Sequence, residues 1–216
     1  MGSTEYFNQI AGKWDEVRTT LFSENVRKVA VKYAEVKRGL VAADIGAGAG
    51  FITEELLRNG LNVIAVDQSL EMVNEMKKRF SNSKDAEFRL GESESLPLNN
   101  ESVDLVFANM YLHHVETPAK AIKEMVRILK PGGKLIITDA DEHNYEFLRT
   151  EQHDVWLGFK REDIRSWFSD AGLADIKVDC VGENCCPTSE SSGEKVEISI
   201  FVAMGKKPMA DIGNIE

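Results

Sequence analysis

Val41-Ala-Ala-Asp44-Ile-Gly46-Ala-Gly48-Ala-Gly50-Phe51 decides the fold of this chain. It reads as a short apolar strand ending in an acidic residue, three glycines at alternate positions, and the start of a helix. Glycine has no Cβ, so such a loop bends sharply and lets a ligand touch main chain. A helix N-terminus behind it offers free N–H groups and a partial positive charge. The spacing separates ligand classes. A dinucleotide fingerprint, Gly-x-Gly-x-x-Gly, places its third glycine where this chain has Phe51; here that glycine comes one residue early. The phosphate-cradling Gly-x-x-x-x-Gly-Lys-Ser/Thr loop is missing as well, because no Lys follows.

Working outward, Leu61-Asn-Val-Ile-Ala-Val66-Asp67 is a second buried-strand pattern with an acid at its end. Asp67 lies about 20 residues beyond the glycines, the offset at which a carboxylate meets ribose hydroxyls in doubly wound folds. Such charge-assisted bonds are strong. Loop and carboxylate together predict a nucleoside ligand that need not carry a diphosphate.

The rest of the chain alternates. Residues 4–14 and 23–36 read as helices ahead of the sheet. Strands are expected near 40–45, 61–67, 86–90, 103–109 and 134–139, with helices near 50–59, 69–81 and 117–130 between them. Ser69 before Leu70-Glu71-Met72-Val73 and Pro118 after Thr117 are helix-start signals. Ala121, Ile122, Met125, Val126 and Leu129 recur at helical spacing and form one apolar stripe. Gly158–Phe168 reads as a further helix, and strands near 174–182 and 195–204 follow, separated by a polar, turn-rich loop at 187–193. Strand–helix alternation implies a parallel sheet covered on both faces.

Asp44-x-Gly46-x-Gly48-x-Gly50 followed by Asp67 resembles the cofactor site of class I S-adenosylmethionine-dependent methyltransferases. Three further segments agree in order. Gly91-Glu92-Ser93-Glu94-Ser95-Leu96-Pro97-Leu98 resembles the loop bordering the adenine. Ser102 to Asn109, continuing through Met110-Tyr111-Leu112-His113-His114-Val115, resembles the fourth strand and its loop. Leu129-Lys-Pro131-Gly132-Gly133 resembles the turn into the fifth strand. The likeness covers residues 40 to 140 and is nearest the small-molecule branch with the ubiquinone and menaquinone methyltransferases. Tyr6-Phe7-Asn8-x-x-Ala11-x-x-Trp14-Asp15 resembles the family's N-terminal lid helix.

The resemblance implies a doubly wound α/β fold: a Rossmann-like, seven-stranded, mostly parallel sheet with helices on both faces and an antiparallel last strand. It divides the chain into lid helices (1–36), an S-adenosylmethionine-binding methyltransferase domain (37–206) and a flexible tail (207–216). It implies that Gly46, Gly48 and Gly50 contact S-adenosylmethionine through main chain, that Asp44 orders their loop, and that Asp67 binds the ribose. Gln68 and Met72 flank the adenine, Glu92 and Ser93 meet its edge, and Asn109 stands beside the methyl group. Relatives often carry Asp where this chain has Glu92. Tyr6 or Phe7 covers the cofactor. His113 and His114 are read either as a general base or as a structural turn, since histidine titrates near neutrality. Tyr145, Phe147 and Trp156 are candidate substrate-pocket residues.

Composition is consistent with one soluble domain: 216 residues, 43% hydrophobic and 29% charged. A net charge of −10 disfavours a nucleic-acid partner, because phosphate backbones are bound through Lys and Arg. Asn109-Met110-Tyr111-Leu112 keeps the Asn but lacks the prolines of the Asn-Pro-Pro-aromatic motif of methyltransferases acting on planar amines. The resemblance to the small-molecule branch implies that the acceptor is a small molecule. No apolar run approaches the ~20 residues of a membrane span. The N-terminus lacks a signal-peptide pattern. Three cysteines are too few for a disulfide framework. These features place the protein in a reducing cytoplasm. Oligomeric state is not legible. No zinc-type spacing of four ligands is present, so no metal is expected. Two alternatives stay open. Adjacent Cys185-Cys186 on a loop suits a thiophilic metalloid such as arsenite. A non-catalytic S-adenosylmethionine sensor is the other.

Overall fold

The computed structural model describes residues 3–209. Its centre is a seven-stranded sheet: β1 (Val41–Ile45), β2 (Asn62–Asp67), β3 (Ala86–Leu90), β4 (Val103–Asn109), β5 (Leu129–Ala140), β6 (Ala174–Cys185) and β7 (Ile198–Lys206). The spatial order is β3-β2-β1-β4-β5-β7-β6. The pairs β1–β2, β1–β4, β2–β3 and β4–β5 are parallel, and β7 runs antiparallel to both β5 and β6. The expected mostly parallel sheet with an antiparallel last strand is what the chain forms. The strand order reverses between β1 and β4, the switch point at whose carboxyl edge open α/β sheets bind ligands.

The strands are buried on both faces, and their alternation shows it. Ala43, Ile45, Val106, Ala108 and Ile137 belong to one core cluster. Ala42, Leu105, Phe107 and Ile136 belong to the cluster on the opposite face. Of the helices, α1 (Ser3–Ile10), α2 (Trp14–Leu21), α3 (Asn25–Ala34) and α4 (Phe51–Arg58) precede β2; α5 (Leu70–Arg79) and α6 (Pro118–Ile128) connect later strands; α7 (Phe147–Glu151) and α8 (Arg161–Asp170) lie between β5 and β6. The apolar stripe of α6 (Ala121, Ile122, Met125, Val126) is buried as its spacing requires, while Leu129 opens β5 instead of closing the helix.

The structure departs from the sequence reading at several boundaries. The first helix stops at Ile10, passes through one tight 3-10 turn at Ala11–Lys13, and restarts as α2, which was not expected. Gly12 sits at that break, consistent with glycine's low helix propensity. β5 begins at Leu129 because Leu129 pairs with Val103 before the register shifts. Gly132 N–H then donates to the Lys207 carbonyl, and Lys207 N–H to that of Gly133. Lys207, the first residue assigned to a flexible tail, is thereby tied to β5, and residues 210–216 of that tail lie outside the described residues. α7 was also unexpected. β6 runs on to Cys185, so that cysteine ends a strand and is buried, in place of the loop position read from sequence. Among the described residues no helix is long and apolar enough to cross a membrane.

Met125, fully buried on α6, tests this packing. Met125→Ala is expected to lower unfolding free energy by about 2–5 kcal/mol, and the exposed Lys123→Ala on the same helix by less than about 0.5 kcal/mol, both read by denaturant titration.

Candidate functional site

The loop after β1 is held open by backbone conformation. Gly46, Gly48 and Gly50 all have positive φ (65°, 55° and 91°), the left-handed region that glycine adopts without strain. Gly46 and Ala47 donate to the Val66 carbonyl at 2.9 and 3.1 Å, fastening the loop to the end of β2. Asp67 completes the fastening: its Oδ2 accepts from Gly48 N–H at 2.8 Å and its Oδ1 from Ser69 N–H at 2.8 Å. Asp44 Oδ2 accepts from both the N–H and the hydroxyl of Thr53, at 2.9 and 2.6 Å, so it braces the first turn of α4. Burial pushes the Asp44 carboxyl up to about 7 against the pull of its Thr53 bonds. Burial raises Asp67 too, opposed by its backbone donors at Ser69, Gly48 and Gln68.

A cavity of about 570 Å³, mouth included, stands over this loop. Its wall includes Asp44, Gly46, Gly48, Asp67, Gln68, Met72 and Asn109. Seven of the expected cofactor residues therefore share one chamber. Gly50 is not among them: a Cβ there would stand 2.4 Å from the Phe80 ring, so this glycine serves the packing of α4 on α5. Glu92 and Ser93 line a separate opening with Gln68, Glu94 and Tyr111. Tyr111 stands between the two. Its ring lies on Gly46 so closely that a Cβ would come within 2.1 Å of Tyr111 Cγ. The phenol bonds Ser93, and burial is the main cause of its pKa rising to about 12. The residue before it, Met110, is non-glycine with φ +46°, and Met110 N–H donates to the Thr138 carbonyl. Asn109 accepts from the Thr138 hydroxyl at 2.7 Å.

The first two helices roof the loop. Ser69 Oγ bonds Asn8 at 2.6 Å, and Arg79 bonds both Asp15 and the Ala49 carbonyl. Trp14 covers Gly48, its Nε1 standing 3.0 Å from where a Cβ would be. Arg18 was not singled out from sequence. Its guanidinium lies 4.1 Å over the Phe51 ring, on the chamber wall, and bonds Glu24 through Nη2 at 3.1 Å. Its Nε and Nη1 are buried without hydrogen-bond partners. A buried unpaired donor is costly, and on a cavity wall it is a ready anion contact. Nothing in the local pattern separates Arg18 from a solvated helix arginine.

A second cavity of about 590 Å³ adjoins the first, sharing Phe7, Trp14, Phe22, Met110 and His114 with it. Its wall is mainly apolar and aromatic (Tyr6, Leu21, Leu148, Ile198), with a polar corner at His113, His114, His143 and Asp154. His113 Nδ1 meets Asp139 Oδ1 at 2.6 Å. Burial disfavours the His113 cation, yet the Asp139 and Asp154 charges raise its pKa to about 9. Burial and then the His113 charge hold His114 well below the ordinary histidine range. Burial, then His113 and Arg149, lowers His143 to about 4. Asp154 is delivered by the turn at His153 (φ +60°) and by two bonds from Val155 and Trp156 N–H to the His113 carbonyl. Asp139 carries the same strand-end signal as Asp44 and Asp67 and was legible on that ground; Asp154 had no local signal. Tyr145 and Phe147 pack against the cluster behind β7, and Trp156 Nε1 donates to the Val115 carbonyl, so none of these three lines either chamber.

The cysteines do not converge as a thiol site. Cys185 reaches the second cavity, but burial, then Cys186, lifts its pKa to about 12. Cys186 Sγ turns to the Asn184 carbonyl, and Cys180 is exposed beside Ser199.

Comparison with known proteins agrees with this architecture. Residues 43–137 match the family described as Methyltransferase domain. Demethylmenaquinone methyltransferase from Paenarthrobacter aurescens is 34% identical over 136 residues, 62% of this chain and 53% of that protein. Demethylmenaquinone methyltransferase from Clavibacter sepedonicus is 29% identical over 203 residues, 79% of this chain and 82% of the relative. The chain thus spans about half the length of the first of these relatives. Among solved structures, YcgJ of Bacillus subtilis has a TM-score of 0.72 at 19% identity, covering 86% of this chain and 99% of that one. A SAM-dependent methyltransferase from Aquifex aeolicus has 0.67 at 23% identity, covering 92% and 97%. These two likenesses are of fold.

The approach of Tyr111 to Gly46 is testable. Gly46→Ala should destabilise by about 1–2 kcal/mol for the left-handed backbone and about 1–3 kcal/mol more for the collision with the ring. In a Tyr111→Ala background only the first part should remain, which a double-mutant cycle of thermal or denaturant unfolding reads directly.

Proposed function

We propose, since residues 43–137 match a methyltransferase domain and the chain is similar to demethylmenaquinone methyltransferases, that it is a class I S-adenosylmethionine-dependent methyltransferase and moves a methyl group from S-adenosylmethionine to a small, largely apolar acceptor held in the second chamber. One observation carries the reading: a glycine-floored, acid-lined chamber and an aromatic chamber meet at shared walls, Phe7, Trp14, Phe22, Met110 and His114. In-line transfer needs donor and acceptor side by side with water excluded, and such positioning supplies up to roughly 7–11 kcal/mol of a barrier.

The residues of the first chamber suit the cofactor. Gly46 and Gly48 present bare main chain, which a Cβ would obstruct. The Arg18 nitrogens that lack hydrogen bonds, Nη1 and an Nε 4.0 Å from Asp15 Oδ1, suit the cofactor's carboxylate, and Asp44 its ammonium. Asp67 keeps lone pairs for ribose hydroxyls beside the backbone donors it already serves. Bound S-adenosylmethionine supplies a methyl group already activated on a sulfonium. Gln68 and Met72 are assigned to the adenine, and Asn109 to the region of the methyl group. Glu92 and Ser93 join the same seat once the Tyr111 ring swings off Gly46, with left-handed Met110 as its pivot. Within the 1–36 segment expected to act as a lid, we assign that role to α1 and α2, which roof the loop, since Val26, Ala30 and Ala34 of α3 are buried in the core. His113, His114 and their carboxylates form the polar end of the acceptor chamber.

The acceptor class we assign is a hydroxylated aromatic ring of the quinol type. An apolar, aromatic chamber with one polar corner matches such a molecule, and relatives include demethylmenaquinone methyltransferases and a 2-methyl-6-phytyl-1,4-hydroquinone methyltransferase from Spinacia oleracea. We assign the protein to the cytoplasm, consistent with three free thiols, and to no nucleic-acid partner, consistent with its net charge of −10.

Isothermal titration tests the cofactor assignment. S-adenosylmethionine is expected to bind the parent protein. Asp67→Asn should weaken both S-adenosylmethionine and adenosine about tenfold or more, as removal of a charged hydrogen-bond partner does. Arg18→Gln should weaken only the cofactor with the carboxylate. No heat with S-adenosylmethionine, or undiminished binding by Asp67→Asn, overturns the assignment. Tyr111→Ala, which removes the ring from Gly46, should bind S-adenosylmethionine at least as tightly as the parent; tenfold weaker binding would make Tyr111 part of the seat.

A further inference from the structure

The polar corner of the second chamber has an electrostatic problem. His113 Nδ1 is committed to Asp139 at 2.6 Å, which turns Nε2 toward Asp154 Oδ1 at 3.9 Å. His114 bonds the His153 main chain, and its Nδ1 faces the same Asp154 oxygen at 3.7 Å. Neither His114 Nδ1 nor Asp154 Oδ1 has a hydrogen-bond partner, although both are buried. The three side chains are only 10%, 6% and 7% exposed. The His114 ring nitrogen whose partner nitrogen donates elsewhere carries a bare lone pair. That lone pair and a carboxylate oxygen pointed at one spot repel unless a cation sits among them, and the His113 imidazolium beside them offers a further lone pair once a metal ion displaces its Nε2 proton to solvent.

We propose that His113, His114 and Asp154 bind one divalent first-row metal ion, of the zinc, cobalt or manganese type, with Asp139 as the positioning residue for His113. Among the described residues this is the one group of three or more His, Cys, Asp or Glu side chains whose ligand atoms gather, all within 4.8 Å of one another. Metal–ligand bonds of about 2.0–2.2 Å place tetrahedral neighbours roughly 3.4 Å apart, so distances of 3.7 and 3.9 Å close with sub-ångström shifts. Two imidazoles and one carboxylate leave further coordination positions open, as in known two-histidine, one-carboxylate sites. The Asp139–His113 bond is the outer-shell arrangement that fixes the orientation of a metal-bound imidazole. No sequence spacing pointed here, because the ligands come from the turn after β4 and the segment beyond α7. The open positions face the cavity that His113, His114 and Asp154 line, where an acceptor oxygen would meet the ion; that last clause rests on the methyl-transfer reading, and the metal site does not.

The test uses the full chain, stripped with chelator and titrated with cobalt(II) alone, then zinc(II) in competition. The parent should take up one cobalt per chain with a visible absorption band, lose the band to zinc, and melt at higher temperature with either metal. Asp154→Asn supplies an amide N–H to the bare His114 nitrogen, so it should fold at least as stably as the metal-free parent and show neither band nor metal-dependent melting. If it fails to fold, His114→Gln is read the same way. Asp139→Asn should weaken cobalt about 10–100-fold. A Cys180→Ser/Cys186→Ser protein should keep the parent's response. A parent without a stoichiometric band, a band that survives Asp154→Asn, or one that vanishes with the cysteines overturns the proposal. S-adenosylmethionine calorimetry on the metal-free parent stands apart, so failure of either reading is recognised separately.

Discussion

The bond from Gly48 N–H to Asp67 Oδ2 carries the rest of the site. Left-handed backbone at Gly46 and Gly48 turns the chain back across the end of β2, and a loop in that conformation exposes donors that need partners. Val66 takes two of them through its carbonyl, and Asp67 takes the third. The loop is thus fixed to the neighbouring strand by three bonds and to itself by one, from Gly50 N–H to the Ala47 carbonyl. The β1–β2 register, with Ile45 opposite Val66, brings donor and carboxylate within reach. Because β4 lies on the other side of β1, the same edge also receives Asn109, Met110 and Tyr111. The switch point gathers these groups; no single loop could.

The roof depends on that floor. Asn8, Asp15 and Trp14 reach Ser69, Arg79 and Gly48 respectively, so α1 and α2 dock on the glycine loop and the two ends of α5 instead of forming their own core. α1 buries no residue fully. Elements with few buried contacts open most readily, and α1, over the chamber, is such an element, whereas the strands beneath are buried. Tyr111 occupies the middle position: its ring is buried, yet it hangs from a strained residue, Met110, and such backbone strain concentrates where a segment has a second arrangement.

Sequence pattern carried the parallel sheet and the glycine chamber because both depend on local regularities: apolar runs ending in acids, glycines at fixed offsets, and helices of 3.6-residue period. Asp44, Gly46, Gly48 and Asp67 were legible on that basis, while Gln68, Met72 and Asn109 came only from the family resemblance. Gly50 was legible as a turn, but its outward packing on Phe80 depends on where α5 lies. α2 was hidden by Gly12, and α7 is a single turn without a period to detect. Arg18, Asp154 and the placement of Cys185 at the end of β6 are decided by tertiary contacts alone. A residue's burial against segments far away in sequence leaves no mark on its neighbours.

Charge gives the site its chemistry. Asp44, Asp67 and Asp139 stand at the carboxyl ends of β1, β2 and β5, and Asp154 is folded back among them, all deeply buried. Desolvation works against each of these carboxylates and raises Asp44, Asp67 and Asp154. A chain that merely needed stability would replace such groups, because buried carboxylates without full pairing cost free energy. Their retention under one roof makes the carboxyl edge of the sheet a field that favours cations. On the proposed reading a sulfonium with its ammonium is drawn to the first chamber, and the Arg18 nitrogens that lack hydrogen bonds there face the ligand's one anionic group. In the second chamber the His113 charge answers Asp139 and Asp154, while His114 Nδ1 and Asp154 Oδ1 face one another with no hydrogen-bond partner.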